Sequence, residues 1–259
     1  MTYLEALILA IVEGITEFLP VSSTGHMVIA STFMGISNNT MTKNFEIVIQ
    51  LGAILSVVVL YWRKFFTSYQ FYLKLAFAFL PAAVAGFLLE DYIDGLLANV
   101  WVVIASLFLG GIVLIFIDRL FKHAEGTEEQ EISWFRAFKI GCFQCIAMIP
   151  GVSRSAATII GGMVTGLNRR TAAEFSFFLA VPTMLGAGAK KMMSSYGTIQ
   201  NHDASILLFG SFMAFIVSMF AIKAFIGFLK QHGFKWFGYY RIVIGVALAI
   251  IAFIMKINM

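Results

Sequence analysis

Residues 13–26 read Glu13-Gly14-Ile15-Thr16-Glu17-Phe18-Leu19-Pro20-Val21-Ser22-Ser23-Thr24-Gly25-His26, and residues 149–155 read Ile149-Pro150-Gly151-Val152-Ser153-Arg154-Ser155. Each interrupts a long apolar stretch, 2–36 and 136–168, with a proline followed by hydroxyl side chains. Proline ends a helix, and Ser or Thr after it caps the next one. Each stretch therefore reads as two half-helices joined by a polar tip.

What surrounds the two breaks decides their setting. The chain has 259 residues, is 60% hydrophobic and carries only 12% charged residues, where a soluble domain has about 25%. That excludes a soluble enzyme, and 27 Phe with long aliphatic runs exclude a disordered chain. Six runs are apolar and long enough to cross a bilayer: Phe45–Trp62, Gln70–Leu89, Trp101–Ile117, Ala172–Ala189, Ser205–Phe228 and Gly238–Met255. The sequence predicts an all-α polytopic membrane protein, one integral membrane domain over 1–259. Unwound backbone at membrane depth survives only inside protein or beside a water-filled cavity. The two broken stretches are accordingly read as re-entrant helical hairpins, against the competing reading of two proline-kinked full spans.

The order of features repeats. Pro20 and Pro150 lie 130 residues apart, and Glu46 and Glu174, each near the start of the span after its hairpin, lie 128 apart. A hairpin followed by three spans makes each half, 1–117 and 132–259, with 118–131 as a hydrophilic linker containing Glu125, Glu128, Glu129 and Glu131. An odd number of crossings per half makes the repeat an inverted one. The positive-inside rule then sets the sides. One face collects Arg63, Lys64, Arg119, Lys122, Arg136, Lys139, Arg169, Arg170, Lys230, Lys235 and Arg241. The other has Lys43, Lys190, Lys191 and Lys256 with the acidic Glu90, Asp91 and Asp94. The first face is predicted to be cytoplasmic, so that the hairpins enter from opposite sides and their tips meet near the midplane. The net charge of +4 comes from these flanking clusters, and no basic stripe interleaved with aromatics suggests nucleic acid. Cys142 and Cys145 form a lone C-x-x-C in an apolar stretch, a poor zinc or redox signal. The N-terminus has neither a basic region nor a small-residue cleavage site, so no removable signal peptide is expected.

An ionisable residue at membrane depth costs several kcal/mol and marks function by default. Glu13 and Glu17 are four apart, on one helix face about 6 Å from each other. Two carboxylates there want a shared proton or a shared hard cation, Mg²⁺ or Ca²⁺ rather than Zn²⁺. Ser22, Ser23, Thr24 and Gly25 lie where a half-helix begins, and its free N–H groups attract phosphate, although Ser22 also suits a plain N-cap. Ser23 and His26 share a face and offer a nucleophile with a general base, Ser23 attacking with His26 as base or His26 itself attacking or activating water; a lone intramembrane His is also often only a hydrogen-bonded core residue. In the second tip, Gly151 permits close approach of backbone to ligand, and Arg154, between Ser153 and Ser155, presents a fork suited to phosphate. Arg154 equally suits a salt bridge to Glu13 or Glu17, and both roles can hold together. Glu46 and Glu174 are either tip supports or catalytic groups.

The 13–26 segment together with Pro150-Gly-Val-Ser-Arg-Ser155 resembles the two signature motifs of the bacterial undecaprenyl-pyrophosphate phosphatase family, also called the bacitracin-resistance protein family. The similarity runs the length of the chain in the size and order of segments, with Thr24 where serine is a common alternative. The resemblance implies hydrolysis of undecaprenyl pyrophosphate to undecaprenyl phosphate and inorganic phosphate, which recycles the lipid carrier for cell-wall synthesis and confers bacitracin resistance. It implies Glu13 and Glu17 on a divalent metal, Ser23 and His26 in the chemistry, and Arg154 on the phosphates. Ser22, Thr24, Gly25, Gly151, Ser153 and Ser155 would contact substrate. It also implies a multi-pass protein of the bacterial inner membrane, with an inverted-repeat fold and a site open to the periplasm. The expected partners are the polyprenyl pyrophosphate and membrane lipid; a homodimer is left open. The alternative function is a carrier or flippase for a polyprenyl phosphate lipid, since broken helices and midplane charges are also a transporter's equipment.

Overall fold

The computed structural model describes residues 1–65, 69–97, 99–121, 130–194 and 203–254. They form twelve helices, with no strand among the described residues: α1 (Tyr3–Thr16), α2 (Ser23–Phe33), α3 (Thr40–Leu60), α4 (Trp62–Phe65), α5 (Tyr69–Leu88), α6 (Glu90–Leu97), α7 (Val100–Leu120), α8 (Trp134–Ile146), α9 (Arg154–Val164), α10 (Arg169–Ser194), α11 (Ala204–His232) and α12 (Lys235–Ile254). Residues 122–129 of the predicted linker, with Lys122, Glu125, Glu128 and Glu129, lie outside the described residues, as do Lys256 and the side chains of Asp94, Lys190 and Lys191.

Six of these helices are long and apolar enough to cross a membrane: α3, α5, the 169–189 part of α10, α7, α11 and α12. They coincide with the six predicted spans. The helices begin earlier than the apolar runs, α3 at Thr40 behind its Asn39 cap and α10 at Arg169, because polar first turns carry the chain into the span. Pro81 and Pro182 lie inside α5 and α10 without ending them. Packed neighbouring helices make such prolines tolerable, and neither is followed by a cluster of hydroxyl residues. By contrast, α1 stops at Thr16 and α8 at Ile146, each four residues ahead of a proline, where the pyrrolidine ring excludes further helix.

Small residues set the packing. Gly52 of α3 lies against the Ser211 backbone of α11, Gly141 of α8 against the Ala78 backbone of α5, and a Cβ on Gly238 of α12 would stand 2.6 Å from the Gly111 carbonyl of α7. Close backbone approach of this kind is what holds helices together where lipid removes the hydrophobic drive between them. The packing partners exchange between halves: α1 packs on α2 and α11, α8 on α9 and α5, while α3 meets α10 and α7 meets α12. Outside the bundle, Leu109, Phe220 and Phe253 are more than half exposed, an exterior suited to lipid and not to water.

Polar contacts tie the helix ends. Asp118 at the end of α7 accepts from Arg169 Nε at 2.8 Å and from the Phe234 backbone N–H at 2.7 Å, joining α7, α10 and the α11–α12 corner. Lys74 near the start of α5 pairs with Glu131 ahead of α8 at 3.4 Å. Elsewhere, the Tyr3 hydroxyl donates to Ser205 Oγ at 3.1 Å, joining the start of α1 to the start of α11.

Candidate functional site at the two helix breaks

The breaks after α1 and α8 fold alike. In each, a serine holds a positive φ, 73° at Ser22 and 75° at Ser153; no other described non-glycine residue has one. Each caps the helix that follows: Ser22 Oγ accepts from the Gly25 N–H and Ser153 Oγ from the Ala156 N–H. A non-glycine residue in that region costs about 1–3 kcal/mol and persists only where its surroundings over-determine it. Superposing the caps shifts the correspondence between halves to 131 residues, so that Ser23 and Arg154, each the first residue of its helix, are equivalent. Gly151 has φ +88°, and a Cβ there would meet the Val103 carbonyl at 2.7 Å, so only glycine lets this tip seat on α7.

Glu17, which caps the C-terminal end of α1, joins the two tips. Its Oε2 accepts from Ser23 Oγ at 2.7 Å and its Oε1 from Arg154 Nη2 at 2.9 Å. The Glu17 side chain is 4% exposed and that of Arg154 13%. Arg154 also donates to the Ser176 carbonyl at 2.9 Å and lies over the Phe18 ring at 6.0 Å. Of the two salt bridges the sequence offered Arg154, the structure has the one to Glu17. A cavity of about 220 Å³ opens at this junction, lined by Glu17, Ser22, Ser23, Thr24, Gly151, Ser153 and Arg154, with Gln50, Met148 and Met184 beside them.

The remaining predicted residues sit around this centre. Glu13 is fully buried, and neither of its carboxylate oxygens has a hydrogen-bond partner. Its charge neighbours are Glu17, Glu46 and Arg154. Gly25 and Ser155 are buried and do not line the cavity. His26 does not bond Ser23: Nδ1 meets the Ser22 carbonyl at 2.8 Å and Nε2 meets the Tyr240 hydroxyl at 2.8 Å, with the two rings stacked 5.5 Å apart. Glu174 is held by Arg170 at 3.0 Å and lines a separate cavity with Lys64 and Lys74, whereas Glu46 stays near Glu13. The predicted symmetry between those two glutamates thus ends in different surroundings. Cys142 and Cys145 are both free thiols.

One cation was misread. Arg241, counted above with the basic face, is wholly buried, and its guanidinium donates to the carbonyls of Pro20, Ser106, Leu107, Gly151 and Val152. A charge count assigns a cation to the nearest helix end, but α12 begins at Lys235, which leaves Arg241 nearly two turns inside the bundle. Its place within an otherwise apolar run was the available signal, by the same rule that marked Glu13. Nothing local pointed to Tyr240.

An orphaned buried carboxylate is what a hard cation relieves. Mg²⁺ typically takes one or two protein carboxylates and fills its shell with water and substrate phosphate oxygens. Glu13, with Glu17 one turn away, fits that pattern. No group of three His, Cys, Asp or Glu side chains assembles among the described residues, so a closed all-protein cage does not fit.

The model of the family described as bacitracin resistance protein BacA matches residues 6–247. The chain is 58% identical over 257 residues to a protein of Flavobacterium johnsoniae named undecaprenyl-diphosphatase, covering 98% of this chain and 97% of that one. It is 59% identical over 256 residues to a protein of the same name from Flavobacterium psychrophilum, with the same coverage. A third protein of that name, from Aquifex aeolicus, is 48% identical over 251 residues, 96% of this chain and 98% of its own length.

Proposed function

Since the chain belongs to the bacitracin resistance protein BacA family, we propose that the cavity between its two broken helices is where it hydrolyses undecaprenyl pyrophosphate to undecaprenyl phosphate and inorganic phosphate. The protein is a multi-pass membrane enzyme, an undecaprenyl-diphosphatase, and the carrier reading is not favoured. The observation that supports this location is Glu17, a carboxylate held between the Ser23 hydroxyl and the Arg154 guanidinium, which stand on the first residues of α2 and α9. A diphosphate entering there meets the free N–H groups of α2 and α9 and the charge of Arg154, which favour anionic oxygens.

In the reading we favour, Ser23 Oγ attacks the terminal phosphorus. Its proton passes to Glu17 Oε2, the Oγ–P bond forms, and the bond from that phosphorus to the bridging oxygen breaks, releasing undecaprenyl phosphate. Water then attacks the serine phosphate, its oxygen going to phosphorus and one of its protons to Ser23 Oγ, while Glu17 gives the proton it took to the departing inorganic phosphate and is a carboxylate again. Arg154 and the half-helix N–H groups stabilise the equatorial oxygens in the transition state. His26 would act on Ser23 only after leaving the Ser22 carbonyl and Tyr240, so its supported role is to orient the tip through its ring contacts. Glu13, whose two oxygens have no partner, would hold a divalent cation, Mg²⁺ or Ca²⁺. Glu17, one turn away and engaged by Ser23 and Arg154, would join it only when free of the Ser23 proton. When bound, the cation supplies charge neutralisation to the phosphate oxygens.

The same reading covers orientation. Helices α1, α2, α8 and α9 have 14, 11, 13 and 11 residues, about 16–21 Å at 1.5 Å per residue, against an apolar bilayer thickness of about 30 Å. Their tips nonetheless touch, which supports two re-entrant hairpins meeting inside the membrane. The exchange of packing partners between halves supports the inverted repeat. The charge count, ten cations against four once Arg241 is set aside, supports a cytoplasmic side for the basic face, and membership of the family supports a bacterial inner-membrane protein whose site opens to the periplasm. The test is phosphate release from a long-chain polyprenyl pyrophosphate by purified protein in detergent, with and without EDTA, beside Glu17→Ala and Ser23→Ala. Cation-dependent release lost in both variants is expected. Absence of release from folded wild type supplied with Mg²⁺ and Ca²⁺ overturns the hydrolysis reading.

A further inference from the structure

Ser23 and Arg154 belong to segments more than 130 residues apart, and their only described polar bridge at the cavity is Glu17. One ion pair between two unwound turns, each carrying a serine at positive φ, does not hold a geometry fine enough for phosphoryl transfer. The fixing element lies behind the tips. Arg241 Nη1 donates to the Pro20 carbonyl at 3.2 Å and to Val152 at 2.9 Å; Nη2 donates to Gly151 and Ser106, both at 2.9 Å; Nε reaches Leu107 at 3.4 Å. With the caps superposed, Pro20 and Gly151 are equivalent, each two residues before its strained serine and three before Ser23 or Arg154. The guanidinium therefore grips the same carbonyl of both tips and ties them together to the end-to-end helix α7.

We propose that Arg241 is a positioning residue for the reaction: its guanidinium sets the register between the two tips, and so the placement of Ser23 against Arg154. Only a planar fork with five donors reaches five carbonyls on three sides; an ammonium satisfies at most three. The carbonyls have no carboxylate among them, so the group acts as a donor hub and not as half of a salt bridge. Gly110 of α7 makes the room, because a Cβ there would run into Arg241 Nη2. The inference rests on the hydrolysis reading for its activity measurement and on the tips alone for its structural one.

The experiment uses full-length protein in detergent. Arg241→Lys keeps the charge and loses the fork, Gly110→Ala keeps the arginine and displaces it, and Arg241→Ala leaves a gap for added guanidinium ion at millimolar concentration. Phosphate release gives kcat and KM for each, thermal unfolding gives the folded fraction, and amide hydrogen exchange followed by mass spectrometry reads residues 17–26 and 147–156. A misplacement of about 1 Å costs on the order of 100-fold in turnover, so kcat in Arg241→Lys should fall by about that factor while KM moves less than about threefold. Gly110→Ala should fall in the same direction, guanidinium should restore part of the turnover of Arg241→Ala, and exchange should quicken at both tips and not elsewhere. Wild-type kcat in either folded variant overturns the proposal. So does activity lost only in proportion to folded protein, with no rescue and with exchange quickened throughout, which is a merely structural role. If the wild type releases no phosphate, the hydrolysis reading fails by itself; local loosening of both tips in Arg241→Lys then still supports the clamp, and unchanged tips refute it.

Discussion

Glu17→Gln keeps the size of the side chain that joins the tips and removes its charge. The two oxygens of Glu17 each carry one short bond, to Ser23 Oγ at 2.7 Å and Arg154 Nη2 at 2.9 Å, in a side chain that is 4% exposed. A glutamine cannot serve both donors: its amide nitrogen faces either Ser23 or Arg154. If Glu17 takes the Ser23 proton, losing that base should lower kcat by about 10²–10⁴-fold, the range of general base catalysis, equivalent to about 2.7–5.5 kcal/mol of barrier. The fold should survive, because Arg154 retains the Ser176 carbonyl. The decisive measurement is a double-mutant cycle on phosphate release with Glu17→Gln, Ser23→Ala and the pair. Two residues acting in one proton transfer give a double variant no slower than the worse single. Losses that multiply would separate Ser23 from Glu17 and return the base assignment to His26. A folded Glu17→Gln with more than about a tenth of wild-type kcat, short of the smallest general-base effect, refutes the role outright.

Three further outcomes follow from the contacts. Asp118→Asn weakens both the Arg169 pair and the Phe234 N–H bond and should destabilise by about 1–3 kcal/mol, read as a lower thermal midpoint in detergent with kcat per folded molecule unchanged; a midpoint equal to wild type contradicts it. Gly151→Ala adds a Cβ at φ +88° against the Val103 carbonyl, costing about 2–5 kcal/mol from strain and overpacking together, so a variant as stable as wild type would mean that this tip does not seat on α7. Tyr240→Phe removes one neutral hydrogen bond to His26 Nε2 while keeping the stacked ring; kcat should drop about two- to tenfold, and a loss as deep as that of His26→Ala would show the hydroxyl doing more than orienting the imidazole.

Local reading marked the two turns that line the cavity. The prolines and the hydroxyl residues after them marked both unwound turns, since a ring clash and an orphaned N–H act within four residues. The burial of Glu13 and the availability of Arg154 for a carboxylate were likewise anticipated by the cost of an ion away from water. The pairing of Ser23 with His26 was plausible from spacing alone, because residues three apart share a helix face. Yet the two rotate apart here, with Ser23 turned to Glu17 behind it and His26 to Tyr240 across the bundle. Spacing says which side chains can meet and not which partner wins.

By itself the sequence determined the setting and the elements: too little charge for water, six apolar runs of membrane length, and two breaks rich in hydroxyls. These follow from solvation and from backbone rules that operate over one or two turns. Only the tertiary structure decided that Glu17 rather than Glu13 takes Arg154, that Glu46 and Glu174 part company, and that Arg241 lies at the centre and not at a membrane face. Those contacts join residues 137 and 221 positions apart. They depend on where small residues let helices touch, and a charge finds its partner only after that packing has excluded water and fixed the distances.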